Sequence, residues 1–124
     1  MPMDTNRDFK VLFININSND YKAALSLRQR TFIKSSKASE SLLLDKREGN
    51  SFHLIAMDDS RVVGYARLSI ERNVGYISQM VVEKEMRGKG IGTQLFIKLL
   101  EKAREMEVGV FLNALSYHRE LRIN

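Results

Sequence analysis

Between positions 87 and 93 the chain reads Arg87-Gly88-Lys89-Gly90-Ile91-Gly92-Thr93, three glycines and two cations within one short loop. Glycine lacks a Cβ, so its backbone reaches torsions closed to other residues and lets a ligand approach closely. An amphipathic run follows at once. The first N–H groups of a helix have no internal acceptor and carry the positive end of its dipole. Glycine loop and helix start together hold anions. Arg87 and Lys89 add charge and Thr93 adds a hydroxyl, a set better matched to two adjacent phosphates than to one carboxylate. The same glycines would also serve as a plain flexible link, with both cations solvated.

Two familiar phosphate loops do not fit. A Walker A loop needs Ser or Thr directly after Gly-Lys, and Gly90 follows Lys89. The dinucleotide fingerprint started at Gly88 would need glycine where Thr93 stands. It also belongs after the first strand of a βαβ unit, whereas about four strands precede this loop.

The elements that must position the loop can be read from periodicity. Phe9 to Ile16 is β-branched and aromatic, a first strand. Ser18 or Asn19 caps a helix from Asp20 to about Phe32, with Tyr21, Ala24, Leu25, Arg28 and Phe32 on one side. Residues 39–46 allow a short helix, closed by Gly49-Asn50. Phe52–Met57, Val62–Ile70 and Gly75–Val82 form an antiparallel meander through turns at Asp58–Arg61 and Glu71–Asn73. From Ile91 to Met106 the residues Leu95, Phe96, Leu99, Leu100, Ala103 and Met106 make an apolar helical face. Val110 to Ala114 is a last strand, able to pair in parallel through a crossover. The fold class is α+β, a mixed, mostly antiparallel sheet flanked by helices.

Composition bounds the rest. At 124 residues, 44% hydrophobic and 28% charged, the chain is expected to form a single domain, 1–124. There is no cysteine, and His53 and His118 are the only histidines, so no metal site is expected. The net charge of +5 is scattered among acidic residues, with its dense cluster inside the glycine loop. This disfavours nucleic acid, for which aromatic–basic interleaving is missing. No run approaches the roughly 20 apolar residues of a membrane span, and the polar start, Met1 to Lys10, is unlike a signal peptide. A cytoplasmic protein without a membrane partner is the expectation.

Arg87-x-x-Gly90-x-Gly92 resembles the acyl-CoA signature of the GNAT superfamily of N-acetyltransferases. Met80-x-Val82 before it and the helix after it agree. Residues 27–32 (LRQRTF), Asp45, residues 53–68 and Leu112-Asn113-Ala114 resemble the ElaA-like branch, so the likeness covers about Val11 to Ala114. The resemblance implies the acyl-CoA N-acyltransferase fold, acetyl-CoA as co-substrate, and transfer of acetyl to a primary amine of a small molecule or peptide. The pyrophosphate would sit on Arg87, Gly88, Lys89, Gly90, Ile91, Gly92 and Thr93. Pantetheine would lie along Met80, Val81 and Val82, with Asn113 also at the cofactor, and a backbone N–H near Met80 would polarise the thioester carbonyl.

The likeness breaks after Asn113-Ala114. The family continues with a helix carrying Phe-Tyr, whose tyrosine commonly protonates the leaving thiolate; Leu121 and Arg122 occupy those positions. Tyr117 and His118 are the nearby substitutes. Residues 115–124 form a divergent tail, and the last strands of the sheet are expected to be missing. An exposed edge of that kind invites a homodimer through the edge or the tail. An acyl-CoA-binding module without turnover is the alternative function. His53 is either a base or a hydrogen-bonded strand histidine, Glu83 and Glu85 either organise the site or lie on the surface, and Arg28 and Arg67 either pair with Asp45 or line the acceptor cleft.

Overall fold

The structure, a computed structural model, describes residues 9–33 and 44–112. Strand β1 (Lys10–Ile14) leads into helix α1 (Asn19–Arg28), whose first turn is capped by the Ser18 hydroxyl accepting from the Tyr21 N–H at 3.1 Å. The helix was expected to run to Phe32. It instead widens into a π-turn over Gln29–Ile33. That turn keeps Phe32 buried under the sheet. The rotation also corrects the face of α1: Leu27 is buried with Ala24 and Arg28, and Leu25 is only half-buried.

Strands β2 (Phe52–Asp58), β3 (Arg61–Glu71) and β4 (Val74–Val82) form the expected meander. Arg72 and Asn73, joining β3 to β4, both take positive φ, 52° and 65°, the geometry of a tight hairpin turn. Residues 44–47 form no helix, and a single 3-10 turn, Glu48–Asn50, precedes β2. Residues 39–43 lie outside the described residues. Helix α2 (Ile91–Glu105) crosses over to β5 (Gly109–Leu112), which pairs in parallel with Val74–Ile77 of β4. The five strands are ordered β1-β2-β3-β4-β5 in one mixed sheet.

Each face of the sheet carries one helix and one apolar cluster. On one side Ile91, Leu95, Leu99 and Ala103 of α2 meet Leu54, Ala56, Val63, Ala66, Leu68, Ile77, Met80 and Val82. On the other, Ala24, Leu27 and Phe32 meet Ile55, Val62, Tyr65 and Val81. The buried stripe of α2 recurs every fourth residue, so Leu100, one residue round from Leu99, is 37% exposed and Met106 46%. Both were expected in the core. A helix resting on a sheet along one line buries a narrower stripe than the sequence pattern offers.

Gly64 sets how close α2 can come. A Cβ there would stand 3.1 Å from both Ile91 Cγ2 and Leu95 Cδ1 and 3.3 Å from Ala56 Cβ. The first turn of α2, and with it the glycine loop, is thereby seated directly on β3.

Candidate functional site

The loop after β4 is held at both ends by buried side chains. Met86, in the 3-10 turn Lys84–Met86, and Ile91, the first residue of α2, both enter the α2-side core. The Glu83 N–H donates to Val63 O at 2.8 Å, and the Arg87 Nε–H donates to Val82 O at 2.9 Å. Arg87 therefore also ties the loop to the strand it leaves, a role its charge alone does not suggest.

Gly88 and Gly90 have φ of 81° and 85°, a region that residues with a Cβ rarely adopt. A Cβ on either would meet nothing within 4 Å, so torsion is what requires glycine, and the space in front of the backbone is open. Gly90 is the N-cap of α2 and offers no side-chain cap, while its carbonyl accepts from the Gln94 N–H at 3.0 Å. The first turn of α2 carries no acidic residue. Lys89 and Thr93 are exposed, and Ile91 and Gly92 are buried. The positive end of the helix dipole thus meets open space with two cations in the adjoining loop, a setting suited to binding phosphate. Beside the loop a cavity of about 330 Å³ is lined by Arg30, Thr31, Glu83, Lys84 and Arg87.

Met80, Val81 and Val82 are all buried, Met80 and Val82 toward α2 and Val81 toward α1. Whatever they offer a ligand comes from their backbone. In the β3–β4 pairing Tyr65 faces Val81 and Arg67 faces Ser78, so Ala66 alone stands opposite Gln79 and Met80. This is a β-bulge, and Gln79 sits in it with φ of 57°. Among the described residues the β4–β5 ladder covers Val74–Ile77, which lead up to the bulge.

Beneath the bulge lies a polar cluster that the sequence reading did not assemble. Arg28 donates to Glu48 from Nη1 at 2.7 Å and from Nη2 at 2.9 Å, and its Nε donates to Gln79 Oε1 at 2.9 Å. Arg67 donates to Glu48 Oε1, which it shares with Arg28, at 2.8 Å, to both Asp45 oxygens at 2.9 Å, and to Ser78 Oγ at 3.2 Å. The Tyr21 hydroxyl donates to Glu48 as well. Burial alone would raise the Glu48 pKa, but hydrogen bonds and charge from Arg28 outweigh it and hold the carboxyl at about 2. Asp45 is likewise lowered: burial opposes ionisation, and Arg67 overcomes it. Of the two readings for the arginines, Arg67 pairs with Asp45, and Arg28 with Glu48.

His53 is a hydrogen-bonded strand histidine, with Nδ1 against the Tyr65 hydroxyl and Nε2 against the Glu48 carbonyl. Glu83 is paired with Arg30, and Glu85 is exposed. Asn113, Tyr117 and His118, the tail 115–124 and the expected loss of later strands fall outside the described residues. Glu48 and Gln79 were the residues missed. The signal available was indirect: two arginines within otherwise apolar elements demand buried acceptors. Among the described residues no group of His, Asp and Glu is arranged to hold a metal, and no helix is long and apolar enough to cross a membrane.

Residues 21–120 match the family described as acetyltransferase (GNAT). Over 87 residues the chain is 29% identical to YjcF of Bacillus subtilis, an uncharacterised N-acetyltransferase, covering 70% of this chain and 61% of that protein. The chain thus spans about three fifths of that curated relative's length. In fold it is similar to Escherichia coli ElaA, with TM-score 0.74, 22% identity and coverage of 85% of this chain and 77% of that one. An acyl-CoA N-acyltransferase from Pseudomonas aeruginosa superposes with TM-score 0.73 at 23% identity, covering 85% and 76%. A predicted acetyltransferase from Clostridium acetobutylicum, solved with acetyl-CoA, superposes with TM-score 0.70 at 20% identity, covering 90% and 84%. The sheet and its two helices have the acyl-CoA N-acyltransferase fold.

Proposed function

Because the chain belongs to the acetyltransferase (GNAT) family, we propose that it moves acetyl from acetyl-CoA to a primary amine. The observation that carries this reading is the start of α2, where the left-handed Gly90 leaves bare N–H groups and a Cβ-free opening. The cofactor pyrophosphate lies on the backbone of Gly88 to Thr93, with Arg87 and Lys89 neutralising its charge. Pantetheine runs along Met80 to Val82, just past the β4 bulge at Gln79, with Asn113 also at the cofactor. The Clostridium acetobutylicum relative that binds acetyl-CoA supports the choice of cofactor.

The amine nitrogen attacks the thioester carbon directly. Electron density moves onto the carbonyl oxygen, which a backbone N–H near Met80 stabilises. The C–S bond then breaks, the coenzyme thiolate takes a proton from Tyr117 or His118, and the proton shed by the nitrogen passes to solvent, from which that residue is reprotonated. No covalent enzyme intermediate and no metal is needed. The acceptor is a small-molecule or peptide amine in the cytoplasm, and a second copy would pair through the exposed sheet edge or the C-terminal tail.

Calorimetry with acetyl-CoA tests the reading. Binding that disappears in Gly90→Glu is expected; no binding, or binding indifferent to that change, overturns it. Thiol release with a panel of amines then separates a transferase from an acyl-CoA-binding module, which would bind without turnover. In a transferase, Tyr117→Phe or His118→Ala lowers kcat.

A further inference from the structure

The β4 bulge poses a question of cause. With side chains alternating, Ile77 and Gln79 would share a face of the sheet. Ile77, Met80 and Val82 instead enter the α2-side core, while Ser78 bonds Arg67 and Gln79 bonds Arg28, beside Val81 in the α1-side core. One residue in the left-handed region, Gln79 at φ 57°, makes this reversal. A residue bearing a Cβ enters that region only when its surroundings hold it there. The surroundings here are specific. The amide of Gln79 is wholly buried, and its Oε1 accepts from both Nε and Nη2 of Arg28. Arg28 is in turn pinned by the two oxygens of Glu48 and lies 4.5 Å from the centre of the Tyr65 ring.

We propose that Arg28 is a positioning residue: by gripping the Gln79 amide it holds the bulge that aims the Met80 backbone at the acyl group. This rests on the reading that Met80 serves the thioester. Arg28 is wholly buried, and its effect passes through the backbone of residues 79 and 80. A displacement of about 1 Å in such a group is enough to cost orders of magnitude in rate.

Two substitutions at one position separate the grip from mere stability. Gln79→Ala and Gln79→Gly both delete the amide, and both leave Arg28 its bonds to Glu48. Only alanine keeps the resistance of a Cβ-bearing residue to positive φ. The expected result is a kcat about tenfold or more lower in Gln79→Ala, with KM for acetyl-CoA within about threefold because the glycine loop is untouched. Gln79→Gly restores kcat to within about threefold of the parent. Crystal structures of the two variants supply the independent readout: alanine loses the two-against-one pairing opposite Ala66, and glycine keeps it. If Gln79→Ala retains the bulge, the proposal is wrong whatever the turnover. Equal losses of kcat in both variants with the bulge intact overturn it as well. If the parent neither binds nor turns over acetyl-CoA, the functional reading fails, and the backbone readout alone decides the grip.

Discussion

Nδ1 of His53 and the Tyr65 hydroxyl lie 2.6 Å apart, and in the neutral ring that its lowered pKa favours, Tyr65 donates to Nδ1. Nε2 lies 2.9 Å from the Glu48 carbonyl, which can only accept. The neutral ring carries its proton on Nε2, and both nitrogens are engaged rather than open to an incoming amine. Burial pushes the His53 pKa below its ordinary 6.5, helped by Arg28 and Arg67 and opposed by Glu48. This residue, a candidate base on sequence grounds, is part of the scaffold.

A pH dependence follows. With the folded pKa depressed below 6.5, the stability linked to His53 is complete above that pH and is lost as pH falls through the folded value. The melting temperature should decline as pH drops from about 7 to 5, and His53→Gln should flatten that decline. Identical slopes in the two proteins would contradict the assignment.

Among the described residues, Glu48 is the carboxylate that faces both buried arginines. Glu48→Gln leaves Arg28 and Arg67 partly uncompensated and should cost about 3–5 kcal/mol in urea unfolding. The acid limb of the parent's stability comes from the same group. Its contribution is present above the ordinary carboxyl value of 4.5 and disappears as pH falls toward about 2. A loss under about 1 kcal/mol would mean that the cluster stabilises far less than its geometry implies.

At Gly90 torsion and ligand chemistry can be told apart. Alanine meets no atom there but must hold φ near 85°, so Gly90→Ala should lower stability by about 1–2 kcal/mol. It should also weaken acetyl-CoA binding about tenfold. Gly90→Glu adds a like charge at the phosphate site and should remove measurable binding. Calorimetry and thermal melting together check both halves.

Gly64→Val should be destabilising by about 1–3 kcal/mol, since its side chain would collide with Ile91 and Leu95. Because those residues form the first turns of α2, the same variant should raise the Kd for acetyl-CoA. Gly109→Ala, at a position open to 4 Å, should change neither. Denaturant titration and calorimetry make the comparison.

The glycine loop, the helix after it and the meander before it are legible in the sequence because each depends on near neighbours. Gly88 and Gly90 mark the positive torsions, Leu95, Leu99 and Ala103 the helical period, and Arg72-Asn73 the hairpin. Reading went astray where packing selects among equivalent patterns. Leu25 and Leu27 are both leucines on α1, and only the docking angle of the helix decides that Leu27 is buried. Leu100 and Met106 continue the apolar pattern of α2 but lie beyond the line along which it meets the sheet.

Composition and short-range pattern thus establish the α+β architecture and the glycine loop that opens α2, since turn torsions and helix starts are local properties of a few consecutive residues. The bulge at Gln79 is of another kind. It depends on Arg28, 51 positions away, which depends on Glu48, 20 positions from it in the chain. Arg28 stands out in its apolar setting, but nothing in the sequence marks Glu48 and Gln79 as its partners. Burial, by removing water as their alternative partner, obliges the guanidinium, carboxylate and amide to satisfy one another. That requirement exists only once the sheet and α1 have closed over them.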